Sequence, residues 1–460
     1  GARLLSQSPS VPHGVSFREA LWVWTRIALL SFGGPAGQIA VMHRILVEEK
    51  RWIGDGRFLH ALNFCMLLPG PEAQQLATYL GWLMHRTLGG LAAGLLFILP
   101  GAVSILALSI LYVQLGEVPL VQALFFGLKA AVLVVVVQAV FRLGGKTLRT
   151  PLARGLAAAA FVAIYAFSVP FPLIVLGAGV IGLAAARWNL MGGGGDHGET
   201  GTSLADADSA LGAAPPAHAR PNLAWALRIG GTLLLLWLGP VAALGLTLGW
   251  DNVFTQIALF FSKLAVVTFG GAYAVLAYVA QAAVETHGWL APGEMMDGLG
   301  LAETTPGPLI MVTQFVGFLA ALRGDTGLSP LAAGALGAAL TTWVTFTPCF
   351  LWIFLGAPYV EALRQAKALA AALAAVSAAV VGVILNLALW FGVRVLFSEV
   401  DVLSAGPLAL DVPRLSSMDP VSLALTAAAG LAAWRLRLGV PTLIAASAAA
   451  GMGAHLAGLV

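Results

Sequence analysis

Charged and hydroxyl side chains inside long apolar stretches are the residues of this sequence that could do chemistry. Arg26 and Lys263 each lie six residues before a Phe-Gly-Gly tripeptide, and each follows a hydroxyl residue, Thr25 or Ser262. A charge at the centre of a membrane-spanning helix costs on the order of 3 kcal/mol, so it needs a reason to be there. Two cations with neighbouring hydroxyl groups could bind a doubly charged oxyanion. The alternative is that each side chain extends to a membrane interface.

Three further charges lie in apolar surroundings. Lys129 could bind the same anion or form a structural ion pair with an acid. Glu72 and Glu303 flank two proline-rich breaks, where they could hold exchangeable protons or simply pair with basic side chains. Glu303 is the better candidate for proton exchange, because Glu72 starts the helix that follows the break and could simply be its charged cap.

Each break is a Pro-Gly-Pro tripeptide in the middle of an apolar segment. Proline removes a backbone donor and clashes with the preceding turn, so the pattern predicts a broken helix or a hairpin of half-helices. The N-terminal end of a half-helix attracts anions, although a plain kink without ligand is the alternative. Glycine pairs after Phe32 and Phe269 could end helices likewise or allow close packing. The residues are Pro69, Gly70, Pro71, Pro306, Gly307 and Pro308 in the breaks, and Gly33, Gly34, Gly270 and Gly271 in the pairs.

The two sets of motifs are copies of one unit. Phe32 and Phe269 differ by 237 positions, and so do Pro69 and Pro306, since 269 minus 32 and 306 minus 69 give the same number. The sequence is therefore predicted to contain an internal duplication. The same offset relates Arg26 to Lys263, Ser31 to Thr268 and Trp52 to Trp289, and a later offset of 248 relates Pro100 to Pro348.

Composition indicates the class of protein that carries these motifs. Of the 460 residues 59% are hydrophobic and 10% are charged, whereas a soluble domain is about 25% charged, so a soluble enzyme is excluded. The net charge of +3 is too small to indicate a nucleic-acid partner. No nucleophile with a base, phosphate loop or metal-ligand spacing is visible, so we expect no enzyme, no cofactor and no metal. We predict an all-α integral membrane protein with about 13 transmembrane segments, centred on 18–33, 57–84, 88–115, 119–141, 151–168, 170–187, 223–248, 252–270, 294–322, 329–356, 366–397, 419–434 and 439–459.

The offsets and the apolar segments divide the chain into five parts. The stretch 188–221 is rich in Gly, Ala, Pro, Asp and Ser, and its composition favours a flexible solvated linker over a small folded insert. The predicted parts are an N-terminal tail at 1–16, the first repeat at 17–187, the linker at 188–221, a connecting transmembrane helix at 222–251 and the second repeat at 252–460.

The number of segments predicts that the second copy is inverted. Seven segments precede it, and an odd number turns it upside down, as in many secondary transporters. The positive-inside rule, applied to the basic loop 142–154 and the acidic loop 398–418, predicts a cytoplasmic N-terminus and an external C-terminus. The basic stretch 44–57 disagrees, because it would face outward. A re-entrant first segment would remove this conflict.

Together these motifs resemble the chromate ion transporter family in its long, two-domain form. The resemblance runs from Phe17 to the C-terminus, apart from the linker. The second copy has Ala272 where the first has Pro35, so the copies are not expected to be functionally identical. The motifs are Phe32, Gly33, Gly34 and Pro35 with Gln38; Trp52; Leu68, Pro69, Gly70 and Pro71 followed by Tyr79, Leu80 and Gly81; Phe269, Gly270, Gly271 and Tyr273; and Thr305, Pro306, Gly307 and Pro308 followed by Gly317.

The resemblance implies a secondary active transporter that exports chromate across the cytoplasmic (inner) membrane and so gives chromate resistance. The implied partners are chromate or a sulfate-like oxyanion, the lipid bilayer and, for coupling, protons. Two alternatives stay open at this point. One is a transporter that takes up sulfate or another oxyanion, and the other is a passive anion channel.

Overall fold

The computed structural model describes residues 14–32, 34–188, 190, 204–212, 216–269, 272–360 and 367–460. Within these ranges the chain is almost entirely helical and has one two-stranded sheet. Six of the described helices are long and apolar enough to cross a membrane, and five apolar helices of 10–17 residues accompany them. The protein is therefore a helical, multi-pass membrane protein, as its composition predicts.

The first copy combines short helices with long ones. Helix α4 is bent at His85 and Arg86, which have non-helical backbone angles and divide the helix into limbs 72–84 and 87–115. A further helix, α8, connects the two copies. The elements are α1 Phe17–Leu30, α2 Gly34–His43 with a π-helical turn Arg44–Glu49, α3 Asp55–Cys65, α4 Glu72–Leu115, α5 Pro119–Thr147, α6 Pro151–Phe167, α7 Phe171–Ala185 and α8 Leu223–Leu248.

The second copy repeats this series of elements. Its π-helical turn starts at Gln281 and that of the first copy at Arg44, which are 237 positions apart, and α14 starts 248 positions after α5. The structure thus has the same elements at both predicted offsets. They are α9 Val253–Val267, α10 Ala272–Ala280 with the π-helical turn Gln281–Thr286, α11 Pro292–Thr304, α12 Val312–Arg323, α13 Pro330–Gly356, α14 Lys367–Leu396, α15 Pro420–Arg435 and α16 Val440–Leu456.

Helix starts follow local sequence signals. Ser16 and Thr150 accept hydrogen bonds from backbone N–H groups in the first turns of α1 and α6, and Asp419 does so for α15. Such caps satisfy donors that the helix itself leaves free. Proline stands in the first turn of α5, α6, α13 and α15, where its missing N–H costs nothing.

The short helices of the first copy form two hairpins. Lys50, just after the π-helical turn, makes an ion pair of 3.0 Å with Glu19 in the first turn of α1. The ring Nε2 of His85, at the bend of α4, lies 3.0 Å from the carbonyl oxygen of Val15. Residues 15, 50 and 85 are therefore neighbours. Predicted segment 18–33 is thus one limb of a hairpin, and predicted segment 57–84 contains both limbs of another; each hairpin returns to its starting end.

The second copy contains equivalent hairpins that start from the opposite end of α8. The indole of Trp225, at the start of α8, donates to Thr87 next to the bend of α4, and the 26 residues of α8 then extend about 39 Å away. There Arg323, at the end of α12, donates to Glu294 at 2.9 Å and to the Trp289 carbonyl at 3.0 Å. The start of α11 and the end of α12 are therefore adjacent.

A β-hairpin follows α14, where a loop was predicted at 398–418. Strands β1 Val400–Ala405 and β2 Leu408–Pro413 pair antiparallel, with Val400 opposite Pro413. Gly406 makes the tight turn with a φ of +61°, which glycine adopts easily. The alternation of apolar and polar residues in this segment carries the strand signal.

Part of the predicted linker is docked on the first copy. The N–H groups of Ala210 and Leu211 donate to the carbonyls of Arg51 and Trp52, each at 3.0 Å. The Asp206 carboxylate accepts from the backbone N–H of Arg57 at 3.1 Å, and so caps α3 at a position where Gly54 offers no side chain. Residues 204–212 are therefore not a solvated coil. Residues 189, 191–203 and 213–215 of the linker, and 1–13 of the tail, lie outside the described residues.

Candidate functional site

Both Pro-Gly-Pro tripeptides interrupt helices as predicted. Helix α3 ends at Cys65 and α4 starts at Glu72, and α11 ends at Thr304 before a new helical turn starts at Leu309. The two central glycines have φ values of +126° at Gly70 and +114° at Gly307. Residues with a Cβ rarely adopt such angles, so glycine is required at both positions.

Each tripeptide is hydrogen-bonded to the end of a helix from the other copy. Gly70 N–H donates to the Thr268 carbonyl, which follows α9, and Gly307 N–H donates to the Ser31 carbonyl, which follows α1, both at 2.9 Å. Gly70 and Gly307 are equivalent residues, and so are Ser31 and Thr268. The two bonds are thus the same contact made in both directions, as at a two-fold symmetric interface.

The other face of each tripeptide also meets the opposite copy. A Cβ on Gly70 would lie 2.9 Å from the Cys349 sulfur in α13, and one on Gly307 would lie 3.0 Å from the Gly101 Cα in α4. Gly101 and Cys349 are themselves equivalent at the offset of 248. Each tripeptide is therefore enclosed between two helices of the other copy, with no room for a side chain.

Polar side chains surround the breaks. Gln75 donates to the Pro69 carbonyl at 2.7 Å, and Gln38 donates to the Gly307 carbonyl. The side-chain oxygens of Gln74 and Gln75 and the Oε2 of Glu303 are buried and accept no hydrogen bond within the described residues. Unused acceptors of this kind mark a place that can hold a proton, water or a polar ligand.

Glu303 is the buried carboxyl group at the second break. Its side chain is 1% exposed, and the Tyr273 hydroxyl donates to its Oε1 at 2.6 Å. Arg142 of α5 also interacts electrostatically with Glu303 and Tyr273. Glu72, at the first break, is half-buried and interacts with Lys146, one helical turn after Arg142. One basic end of α5 therefore acts on both predicted coupling residues.

Arg142, Lys146 and Tyr273 were not singled out as site residues from the sequence. In the sequence, the two basic residues indicate only which side of the membrane the loop 142–154 faces, and the tyrosine is only part of a family motif. Their spacing of four places them on one helix face, which was an available signal. The sequence does not show that this end of α5 interacts with the carboxyl groups at the breaks, because that depends on how α5 packs.

The predicted cationic pair is not brought together. Arg26 is exposed and pairs with Glu49 at 2.7 Å, while Lys263 is exposed on α9. No hydrogen bond or ion pair joins the two side chains in the part of the chain that the structure describes. Thr25 bonds to the backbone of its own helix at 2.8 Å, and the Ser262 hydroxyl accepts from the Trp237 indole at 3.0 Å.

Lys129 forms an ion pair that connects the copies. Its amine lies 3.5 Å from Oδ1 of Asp297, and the Tyr112 hydroxyl donates to Oδ2 of the same carboxylate at 2.8 Å. Asp297 is 4% exposed, so the carboxylate of this ion pair is buried within the protein. The contacts of Lys129 therefore agree with the alternative interpretation, a structural ion pair with an acid.

The structure describes only one of the four residues in the two glycine pairs. Gly34 starts α2 with a φ of +76°, while Gly33, Gly270 and Gly271 lie outside the described residues. Pro71 immediately precedes α4, and Pro308 immediately precedes the helical turn at Leu309. Among the described residues no group of three or more His, Cys, Asp or Glu side chains could hold a metal ion.

Duplicated, broken helices that meet inside a helical membrane protein define the class of membrane transport proteins. The chain belongs to the chromate transporter family, which it matches over residues 18–183 and 255–452. It is 33% identical over 454 residues to the chromate transport protein of Pseudomonas aeruginosa, covering 96% of this chain and 93% of that one. It is 28% identical over 431 residues to the chromate transport protein of Cupriavidus metallidurans, covering 92% and 94%. No solved structure gives a significant match.

We expect Gly307→Ala to destabilise the protein by about 2–5 kcal/mol, because the new Cβ would meet the Gly101 backbone at an unfavourable φ. The measurement is the thermal unfolding midpoint of the purified protein in detergent. Gly155→Ala is the matched control, since Gly155 lies in α6 with open space around it. Equal midpoints for the two variants would contradict the role given to Gly307.

Proposed function

We propose that this protein is a secondary active transporter that exports chromate across the cytoplasmic membrane and so gives chromate resistance. The observation that carries the proposal is the pair of breaks that hydrogen-bond across the two copies. Such breaks leave half-helix ends inside the molecule, and N-terminal ends attract anions. Two relatives that cover most of this chain are named chromate transport proteins, which supports chromate as the oxyanion.

The proposed arrangement in the membrane is an inverted repeat. The hairpins α1–α2, α3–α4, α9–α10 and α11–α12 would be re-entrant, so that nine crossings and four hairpins replace the thirteen predicted segments. The first copy would then begin in the cytoplasm and the second outside. This arrangement moves the basic stretch 44–57 to the same side as the loop 142–154, which agrees with the positive-inside rule.

Labelling of introduced cysteines from each side of the membrane tests this arrangement. We expect Arg51→Cys to react with an impermeant maleimide only from the cytoplasmic side, and Ser404→Cys in the β-hairpin only from outside. Both variants keep the natural residues Cys65 and Cys349, which are buried and are therefore not expected to react. Reaction of Arg51→Cys from outside would mean that the first segment crosses the membrane.

The substrate site is proposed to comprise the breaks and the basic side chains that reach them. Arg26, Lys263 and Lys129, with Thr25 and Ser262, remain candidates for contacting the anion on its way to the centre. Arg26 and Lys129 would do so by exchanging their present carboxylate partners, Glu49 and Asp297, for the oxyanion. A divalent anion can compete for an arginine or lysine because it makes the same charge-assisted hydrogen bonds.

Chromate flux into inverted membrane vesicles tests the function. We expect uptake that depends on an imposed gradient and falls when sulfate competes. Arg26→Gln should lower this flux without loss of folded protein, because it removes one cation, whereas Arg154→Gln is a basic-to-neutral control outside the proposed site. Chromate flux equal to that of empty vesicles would refute the proposal. Flux that survives collapse of the proton gradient at fixed voltage would favour a passive channel.

Glu303 is the proposed coupling residue, and Glu72 is the second candidate. A carboxylate that ionises next to a bound anion changes the interaction by about 4 kcal/mol per unit of anion charge, at about 4 Å and an effective dielectric of about 20. Binding of the anion would therefore be strongest with the carboxyl protonated and would weaken as pH rises. Release would accompany loss of the proton.

We expect Glu303→Gln to flatten the dependence of chromate flux on pH, because glutamine keeps the neutral form at every pH. Flux would be measured in proteoliposomes at clamped voltage. Glu72→Gln is the matched control and should flatten the profile less, since Glu72 is half-buried and starts a helix. An unchanged profile in Glu303→Gln would leave the membrane potential as the driving force.

A further inference from the structure

A groove of about 880 Å³ lies between α5, α14 and α15, and none of its lining residues belongs to a break. Fourteen of its sixteen lining residues are apolar or glycine, including Leu133, Leu389 and Leu431 from the three helices. The other two are Thr426 and Arg435. Arg435 is the last residue of α15, so the groove is apolar along its length and basic at one end.

The equivalent interface, between α6 and α14, borders a smaller pocket of about 290 Å³, which the β-hairpin and α10 also line. Helices α5 and α14 are equivalent, and each packs against the terminal helices of the opposite copy. Where α6 meets α14, a Cβ on Gly382 would overlap the Ala157 carbonyl oxygen, so the two backbones are in direct contact. Where α15 meets α5, the groove is about three times larger, about 880 Å³. Helix interfaces are normally packed without large voids, so the larger groove indicates an occupant that is not protein.

Charge indicates what the occupant is. Arg435 is exposed and makes no ion pair within the described residues, and Arg437 follows it in the loop after the helix. This end of α15 is expected to lie on the same side as the basic loop 142–154. An arginine at the rim of an apolar, bilayer-facing groove matches a ligand with a phosphate head and an acyl tail.

We propose that the groove binds an anionic phospholipid, with one acyl chain between α5, α14 and α15 and the phosphate on Arg435. The lipid fills the space that the protein leaves open between the two copies and holds α15 on α5. This site is independent of which ion is transported. Its test therefore does not use transport, so its failure and that of the proposed function are distinguishable.

Native mass spectrometry of the full chain tests the head-group contact. The protein would be offered equal amounts of phosphatidylglycerol and phosphatidylcholine with identical acyl chains. We expect wild type to retain phosphatidylglycerol preferentially and Arg435→Gln to lower that preference about fivefold. Arg437→Gln is the matched control, because Arg437 lies two residues beyond Arg435 but does not line the groove, and its preference should be unchanged. An unchanged preference in Arg435→Gln, or an equal loss in both variants, overturns the proposal.

A phosphatidylglycerol with a photoactivatable acyl chain tests the groove itself. We expect cross-links on α15 near Leu431 and their loss in Ala427→Phe, which fills the groove. Cross-links that fall elsewhere, or that persist in Ala427→Phe, overturn the placement of the acyl chain. If Ala427→Phe does not fold, the position of the wild-type cross-links and the two arginine variants still decide the outcome.

Discussion

Backbone groups at a helix break must find hydrogen-bond partners inside a membrane, where water is not available to supply them. Each group left without a partner costs several kcal/mol. The carbonyls of Ser31 and Thr268 end two helices, and the N–H groups of Gly70 and Gly307 lie in two breaks. Each carbonyl is satisfied by the glycine of the other copy. The breaks are therefore stable only as a pair.

This reciprocal bonding explains why the copies are interleaved. Helix α5 packs against α15 and α16 of the second copy, and α14 packs against α6 and α7 of the first. The Gly101 and Cys349 contacts hold each tripeptide from its other side. Neither copy has a complete set of partners by itself. A shift of one break must therefore displace helix ends in the other copy, which is a physical basis for coupling two halves of a transport protein.

The symmetry of the backbone is not matched by symmetry of charge. The position equivalent to Glu303 is Met66, and the position equivalent to Glu72 is Leu309. The basic end of α5 acts on both acids, whereas the equivalent residues of α14 are Trp390 and Arg394, and Arg394 pairs with Asp411 of the β-hairpin at 2.8 Å. The duplicated scaffold thus provides the breaks twice, and the side chains assign different chemistry to the two copies.

The sequence by itself determined the membrane class, the duplication and the positions of the breaks, because composition, register and proline chemistry are local properties. It did not distinguish a crossing from a re-entrant hairpin, since apolar residues in either would give the same pattern. Only the tertiary structure paired Arg26 with Glu49, docked residues 204–212 on the first copy and brought Arg142 into electrostatic interaction with Glu303. Such contacts join residues far apart in the chain, and packing in three dimensions decides which of many chemically acceptable partners actually meet.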